Sequence, residues 1–208
     1  MPWMLALGLV AGTSLFQACL KEQSNVAGSE NPVLAARRDR DRTFKLSPQS
    51  PIPAADRARF HGLDYFPLNP DLQFWAKLIR YPAPERIRMA TNTGEVREGL
   101  RYGYFEFRAE GKVCRLQVYR LDDNENPGQP SLFIPFRDAT TGQETYGAGR
   151  YLDLLENTSG IYDLDFNQAY NPSCAYGGDF SCPTPPEENR LLIPIRAGEK
   201  KYPLARSH

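Results

Sequence analysis

From Phe44 onward, apolar and polar side chains alternate with a period of two in one short segment after another. Leu72-Gln-Phe-Trp-Ala-Lys-Leu-Ile79 is the first strong instance, with Leu72, Phe74, Ala76 and Leu78 on one face. Tyr81-Pro-Ala-Pro84 interrupts it, Arg86–Ala90 alternates again, and Thr91-Asn-Thr-Gly94 is a turn signal. Glu95–Tyr102 alternates weakly. Tyr104–Arg108 and Val113–Tyr119 flank Ala109-Glu-Gly-Lys112 and predict a tight hairpin, with Gly111 supplying a positive φ. Ser131–Phe136 is an apolar run whose end Pro135 demotes to an edge or bulge. Glu144–Leu152 reads as its hairpin partner across a polar loop. Ile161–Phe166 alternates, and Leu191–Ile195 closes the series as a last short strand. Phe44-Lys-Leu46 is read as the first extended piece, and a single helical turn follows Pro53. No stretch predicts a helix of twelve residues. The expected fold is all-β and mainly antiparallel: a sandwich or partly open barrel of short strands, with long irregular C-terminal loops.

The first 42 residues differ from this pattern. Residues 1–18 carry no charged side chain, and Trp3–Phe16 has the length of a signal-peptide core, shorter than the roughly 20 residues of a membrane span. Phe16-Gln-Ala-Cys19 follows, and then a polar run beginning Leu-Lys-Glu-Gln. An apolar core, a small residue, one Cys and a polar tether resemble a bacterial lipoprotein signal, in which Cys19 is lipidated. The expected organisation is a signal peptide over 1–18, a flexible tether over 19–42 and one β-rich domain over 43–204. The protein is then exported, held to the membrane through its N-terminal lipid and facing the periplasm or outer surface. A cleaved secretory signal, an uncleaved anchor and a cytoplasmic protein are the alternatives. Arg37-Arg-Asp-Arg-Asp-Arg42 is read as a solvated mixed-charge run that tolerates change.

Composition narrows the chemistry. In 208 residues, 25 Lys and Arg balance 25 Asp and Glu, which removes the basic field that nucleic acid binding uses. With 18 Pro and 16 Gly, turns and short strands are favoured over long helices. Only two His are present, so a three-His zinc site is excluded and a Ser–His–Asp triad would need His61. No cofactor is expected.

The remaining candidates lie in two segments, Phe136–Leu154 and Asp165–Leu191. In the first, Gly147-x-Gly149 lacks the third glycine and the flanking elements of a dinucleotide loop. Glycines there mark a bulge or a close backbone approach, which would let Arg137, Glu144, Tyr146 and Arg150 reach one pocket. In the second, Cys174 and Cys182 are separated by Ala-Tyr-Gly-Gly-Asp-Phe-Ser. A disulfide closing that loop contributes about 2.5 kcal/mol in the entropy model. Two buried thiols, or a metal or catalytic site, stay open beside it. Cys114, within a strand, is read as a small core residue.

The strings FRDATTGQETYGAGRYLDL, LDFNQAYNPSCAY and CPTPPEENRLLIPIRAGEK resemble the bacterial and archaeal family named domain of unknown function 1684, over about Phe44 to Tyr202. The family carries no established activity, and many members resemble exported or lipid-anchored proteins. The resemblance places Arg137, Asp138, Glu144, Tyr146, Gly147, Gly149, Arg150, Asp165, Asn167, Tyr170, Asn171, Cys174, Cys182, Pro183 and Asn189 at motif positions. Two departures stand out: Pro183-Thr-Pro-Pro-Glu-Glu-Asn189 replaces a more proline-rich stretch, and longer relatives carry an additional N-terminal β region.

Two functions are therefore expected as alternatives. One is a β-domain that binds a small ligand, a glycan or a protein partner through a polar pocket of Arg137, Asp138, Glu144, Tyr146, Arg150, Asp165, Asn167, Tyr170, Asn171 and Asn189. Exposed aromatics among Tyr65, Trp75 and Tyr81 would serve it too. The other is a hydrolase, with Asp165 or Glu144 as base and Arg137 or Arg150 holding an anionic group. Against both stands a structural reading, in which these Arg, Asp and Asn residues fix turns. Convergence on one open cavity decides between them.

Overall fold

In the computed structural model the described residues are 30–122 and 131–203. The signal segment 1–18, Cys19, the first part of the expected tether and the polar loop after Asp122 lie outside them. Among the described residues seven strands form two antiparallel sheets, preceded in the chain by one α-helix. The strands are β1 (Gln73–Lys77), β2 (Ile79–Ala90), β3 (Val96–Ala109), β4 (Lys112–Leu121), β5 (Ser131–Phe136), β6 (Arg150–Leu155) and β7 (Ile161–Asp165). Strands β2 to β6 pair in sequence order as a five-stranded sheet, and β1 pairs with β7 as a two-stranded one. The fold is the expected all-β one, and no sheet closes into a barrel among the described residues.

Local chemistry accounts for most element boundaries. The β3–β4 hairpin turns at Glu110 (φ 49°) and Gly111 (φ 69°), so Ala109 faces Lys112. β2 runs through Tyr81-Pro-Ala-Pro84 instead of ending there. It is the edge of the sheet, and its pairing to β3 shifts between Arg80 and Glu85, which absorbs the missing proline donors. Gly149 (φ 104°) opens the return into β6, where a Cβ would lie 2.5 Å from the Phe136 carbonyl oxygen. Phe136 then faces Arg150 across the β5–β6 hairpin, which starts later than the expected Glu144.

The main core lies between the two sheets and the C-terminal segment. Phe105, Leu116, Val118, Leu132, Ile134, Phe136, Leu164 and Phe166 meet Leu191, Ile193, Ile195 and Ala197 there. The alternation at 191–195 is real, since Leu192 is 78% exposed while its neighbours are buried, but the segment forms no extended strand. A short parallel bridge at Arg137 and Arg190 pairs part of its backbone, with Leu191 N–H donating to the Arg137 carbonyl at 2.8 Å and the Ile193 carbonyl accepting the Ala139 N–H at 3.1 Å, and side chains satisfy the rest. The Asp138 carboxylate accepts the Ile195 N–H at 2.6 Å, and the buried Arg150 guanidinium donates to the carbonyls of Ile195, Ala197 and Glu199. It is an irregular strip of core rather than the expected strand.

The largest correction concerns residues 32–46. The expected tether end and the first extended piece form one 15-residue helix, α1 (Pro32–Leu46). Asn31 caps it, its Oδ1 accepting the N–H groups of Val33 (2.9 Å) and Leu34 (3.4 Å), and Pro32 starts it. Val33, Arg37, Arg40 and Phe44 recur at helical spacing on the docked face, and only Phe44 is buried and apolar. Arginine stems and guanidinium planes take the place of aliphatic side chains, so an apolar period could not show the helix. Lys45 Nζ ties its end down by donating to the carbonyls of Arg57 (2.7 Å) and Phe60 (2.7 Å), and Asp41 accepts the Leu63 N–H at 3.0 Å. Phe44 joins Ile52, Phe60, Tyr176 and Tyr202 in a second, smaller core. Among the described residues no helix is long and apolar enough to cross a membrane.

Candidate functional site

The polar motif residues separate into two groups. The first is spent on backbone or on ion pairs. Asn189 is fully buried. Its Oδ1 accepts the Gln117 N–H at 2.7 Å, while Nδ2 donates to the carbonyls of Gln117 (3.0 Å) and Pro135 (2.7 Å). Those contacts lie where the β4–β5 ladder has a single registered pair, Tyr119 with Phe133. Asp138 is buried among the Thr140 and Thr141 hydroxyls and 3.6 Å from Arg150. Asn171 donates to the Lys200 carbonyl at 2.8 Å. Glu144 is exposed and forks onto Arg196 (2.9 to 3.1 Å), a pairing that holds its carboxyl below the usual range. Arg137 is 3.7 Å from Glu187. The structure does not bring Arg137, Asp138, Glu144, Arg150, Asn171 and Asn189 to one open cavity.

The cysteine pair is held together but unbonded. Cys174 and Cys182 are both free thiols in place of the expected disulfide. Cys182 Sγ accepts the Cys174 backbone N–H at 3.3 Å, and the Tyr146 hydroxyl is 3.8 Å from Cys174 Sγ. The hydrogen bond from Cys174 pulls the Cys182 thiol down to about 7, while that shared proton and burial push Cys174 up. Cys114 is buried in β4, as expected of a small core residue.

The second group, Asp165, Asn167 and Tyr170, lines surface depressions, with Asp165 and Asn167 themselves buried in the wall. Three adjoining depressions meet at Gln168. One of about 230 Å³ lies between the start of α1 and the β1–β7 sheet, lined by Asn31, Gln73, Asp163, Asp165 and Asn167 among others. A second, of about 170 Å³, extends over β6, with Asp153, Asp163, Asp165 and Tyr170. The third, about 150 Å³, runs under α1 between Arg37, Arg40, Tyr65, Tyr170 and Glu199.

Strand geometry explains the acidic wall. Asp163 and Asp165 are two residues apart on β7, so both side chains leave the same face. Asp163 accepts from Gln73 Nε2 at 3.0 and 2.8 Å across the β1–β7 pair. Asp165 caps the short turn Phe166–Gln168, accepting the Asn167 N–H at 2.9 Å and Asn167 Nδ2 at 2.8 Å, and Gln168 Nε2 reaches it at 3.3 Å. Asp153 accepts the Tyr170 hydroxyl. Desolvation in the concave wall raises the Asp153 carboxyl, against the pull of that hydrogen bond and of Arg40. The wall is rich in acceptors. Among the described residues no group of three His, Cys, Asp or Glu side chains is arranged to hold a metal ion.

Under α1 the chemistry changes. Arg37 donates to the carbonyls of Phe66 and Asn167, both at 3.1 Å, with its guanidinium 4.4 Å above the Tyr65 ring. Arg40 Nε lies 2.7 Å from Glu199 Oε1, between the rings of Tyr170 (4.8 Å) and Phe44 (4.9 Å). Glu199 is 1% exposed, and its other oxygen accepts the Asn171 N–H at 3.1 Å and the Tyr176 hydroxyl. Burial pushes the Glu199 carboxyl up, opposed chiefly by Arg40. Burial opposes the Arg40 charge, but Glu199 together with the Tyr176 and Tyr65 hydroxyls more than restores it.

A family model described as "Protein of unknown function (DUF1684)" matches residues 58–200. The chain belongs to the DUF1684 family. The solution NMR structure of an uncharacterized protein from Haloarcula marismortui is 38% identical, with a TM-score of 0.63, covering 81% of this chain and 92% of that one. No curated protein matches. The DUF1684 match contains the acidic wall, Tyr65, Tyr170, Tyr176 and Glu199, and begins after α1.

Asp153, Asp163, Gln168, Glu199 and the α1 arginines were not singled out as site residues by the sequence pattern. Asn31-Pro32, a cap followed by a first-turn proline, was the available signal for α1. Given that helix, Arg37 and Arg40 fall on one face. Glu199 carries no local signal, because its partners come from distant positions. Trp75, one of the three aromatics, is 77% exposed on β1, while Tyr65 and Tyr81 are half-buried.

Proposed function

We propose that this DUF1684 protein is a binding domain rather than an enzyme, taking a small donor-rich ligand such as a sugar or short amine in the cleft around Gln168. The observation that supports this most is the meeting of three depressions at one residue, with Asp153 and Asp163 around it. Carboxylates and side-chain amides on rigid strands present acceptors in fixed directions, which suits hydroxyls and ammonium groups. The hydrolase alternative asked Asp165 or Glu144 to act beside Arg137 or Arg150. Asp165 is instead engaged with Asn167 and Gln168, and Glu144 with Arg196. We further propose that the domain faces the cell envelope, tethered through a lipidated Cys19 after cleavage behind Ala18.

Titrating spermidine and glucosamine separately into labelled protein tests the first part. Amide shifts confined to Asp153, Asp163, Gln168 and Tyr170, and lost in Asp163→Asn, are expected for at least one probe. Shifts scattered over the surface, or none, reject the reading. Mass spectrometry of the mature protein tests the second, and an intact Met1 terminus rejects it.

A further inference from the structure

We propose that Glu199, Tyr65, Tyr170 and Tyr176 form a binding site for a guanidinium group, and that α1 is its displaceable plug, with Arg40 as the occupant in cis. The inference goes beyond the cleft reading and does not depend on what the cleft binds. Glu199 carries it. This carboxylate is 1% exposed and fixed on one oxygen by Asn171 and Tyr176, which leaves Oε1 facing α1. Arg40 meets Oε1 at 2.7 Å, with the Tyr170 ring 4.8 Å from its guanidinium. A buried carboxylate on one side and the Tyr170 ring on another, with the Tyr65 ring stacked on the neighbouring Arg37, select a planar cation.

Two further observations separate the site from its occupant. All four cage residues lie in the segment that the DUF1684 model matches, whereas Arg37 and Arg40 precede it. The cage thus belongs to the family-matched segment, and the cation filling it comes from outside that segment. The docking of α1 is also poor in apolar contact. Phe44 is its only buried residue, and a space of about 150 Å³ remains between the helix and the domain, beside a Tyr65 hydroxyl without a hydrogen-bond partner. A helix held by ion pairs, ring stacking and hydrogen bonds to carbonyls releases more readily than one held by a hydrophobic stripe. Its release exposes a carboxylate that needs a cation. A competing guanidinium, free in a small molecule or carried on an arginine side chain, can supply one.

The test uses full-length Arg40→Ala. Methylguanidinium at a few millimolar is expected to raise the thermal midpoint of Arg40→Ala, acetyl-arginine amide to do the same, methylammonium to do less, and potassium chloride to do nothing. Those concentrations are far below the molar range in which guanidinium unfolds proteins. Methylguanidinium should bind the variant at least about tenfold more tightly than the wild type, whose site is filled, with shifts at Tyr65 and Tyr170. Adding Glu199→Gln should abolish the response. Equal effects of all the salts, rescue that survives Glu199→Gln, or equal affinity for variant and wild type each overturn the proposal. If Arg40→Ala does not fold alone, refolding yield with methylguanidinium against potassium chloride reads the same interaction, and no difference overturns it.

Discussion

Replacing Asn189 with alanine should cost a large share of the fold's stability. The side chain makes three hydrogen bonds of 2.7 to 3.0 Å and is fully buried. It lies beside Pro135, which has no N–H to give, and bridges Gln117 of β4 to Pro135 of β5 where the ladder holds one pair. Alanine leaves the Gln117 N–H, the Gln117 carbonyl and the Pro135 carbonyl without that partner. At roughly 1–3 kcal/mol for an orphaned donor and about 1 for each carbonyl, the loss sums to about 3–5 kcal/mol. Against a typical total of about 5–15 kcal/mol, that is a large fraction. Urea unfolding followed by circular dichroism measures it, with the slope compared to check that the unfolded state is unchanged. Asn189→Asp is the sharper control, since it keeps shape and the acceptor for Gln117 but turns the donor into an oxygen facing two carbonyls. It should be at least as damaging as alanine. An alanine variant within about 1 kcal/mol of wild type, or an aspartate variant as stable as wild type, would refute the reasoning.

Other consequences can be checked directly. Arg150→Lys should lose about 2–4 kcal/mol in the same assay, since one ammonium cannot serve the carbonyls of Ile195, Ala197 and Glu199 together; an unchanged midpoint contradicts this. The Glu199 carboxyl is raised above its ordinary 4.5 in the folded protein. The stability it contributes is therefore full below that value and is lost as pH rises through the raised one. Unfolding free energies over a pH series should show wild type gaining on Glu199→Gln toward acid, and parallel curves would disprove it. In reduced protein, iodoacetamide should label Cys182 before Cys174 or Cys114, at a rate that climbs through about pH 7; mass spectrometry showing Cys174 modified first would count against the thiol pairing.

The fold was readable in the sequence wherever one face of a strand is buried and the other wet. Leu72–Ile79 alternates for that reason, Val113–Tyr119 does so only up to Leu116 before both faces are covered, and the glycine at the β3–β4 turn marks its own positive φ. It was unreadable where polar side chains do the packing. α1 docks through Arg37 and Arg40, and the chain at 191–197 is core with only a short bridge to residues 137–139, because Asp138 and Arg150 satisfy much of the rest of its backbone. Neither arrangement leaves a periodic apolar signature. The candidate site shows the same division. Asp165, Asn167 and Tyr170 stand in a dense polar motif and line the cleft. Asp138, Arg150 and Asn189 stand in equally dense motifs but lie away from the cleft, and only three-dimensional position separates them from Asp165 and Asn167, which also hold backbone. Glu199 acquires its role from Arg40, far away in the chain, so no local window contains it.

The latch at Asn189 also sets the timing of assembly. During synthesis β4 and β5 emerge long before Asn189, and until it arrives their shared border holds unpaired amide groups between two exposed apolar strands. Every strand can be out of the ribosome while Leu191, Ile193, Ile195 and Ala197, which complete the core, are still inside. Closure of the five-stranded sheet is therefore a late event that depends on contacts distant in sequence. A nascent chain stalled before Asn189 would present a sticky, half-zipped sheet to chaperones and to its own copies, whereas one released after Glu199 can lock in a single step.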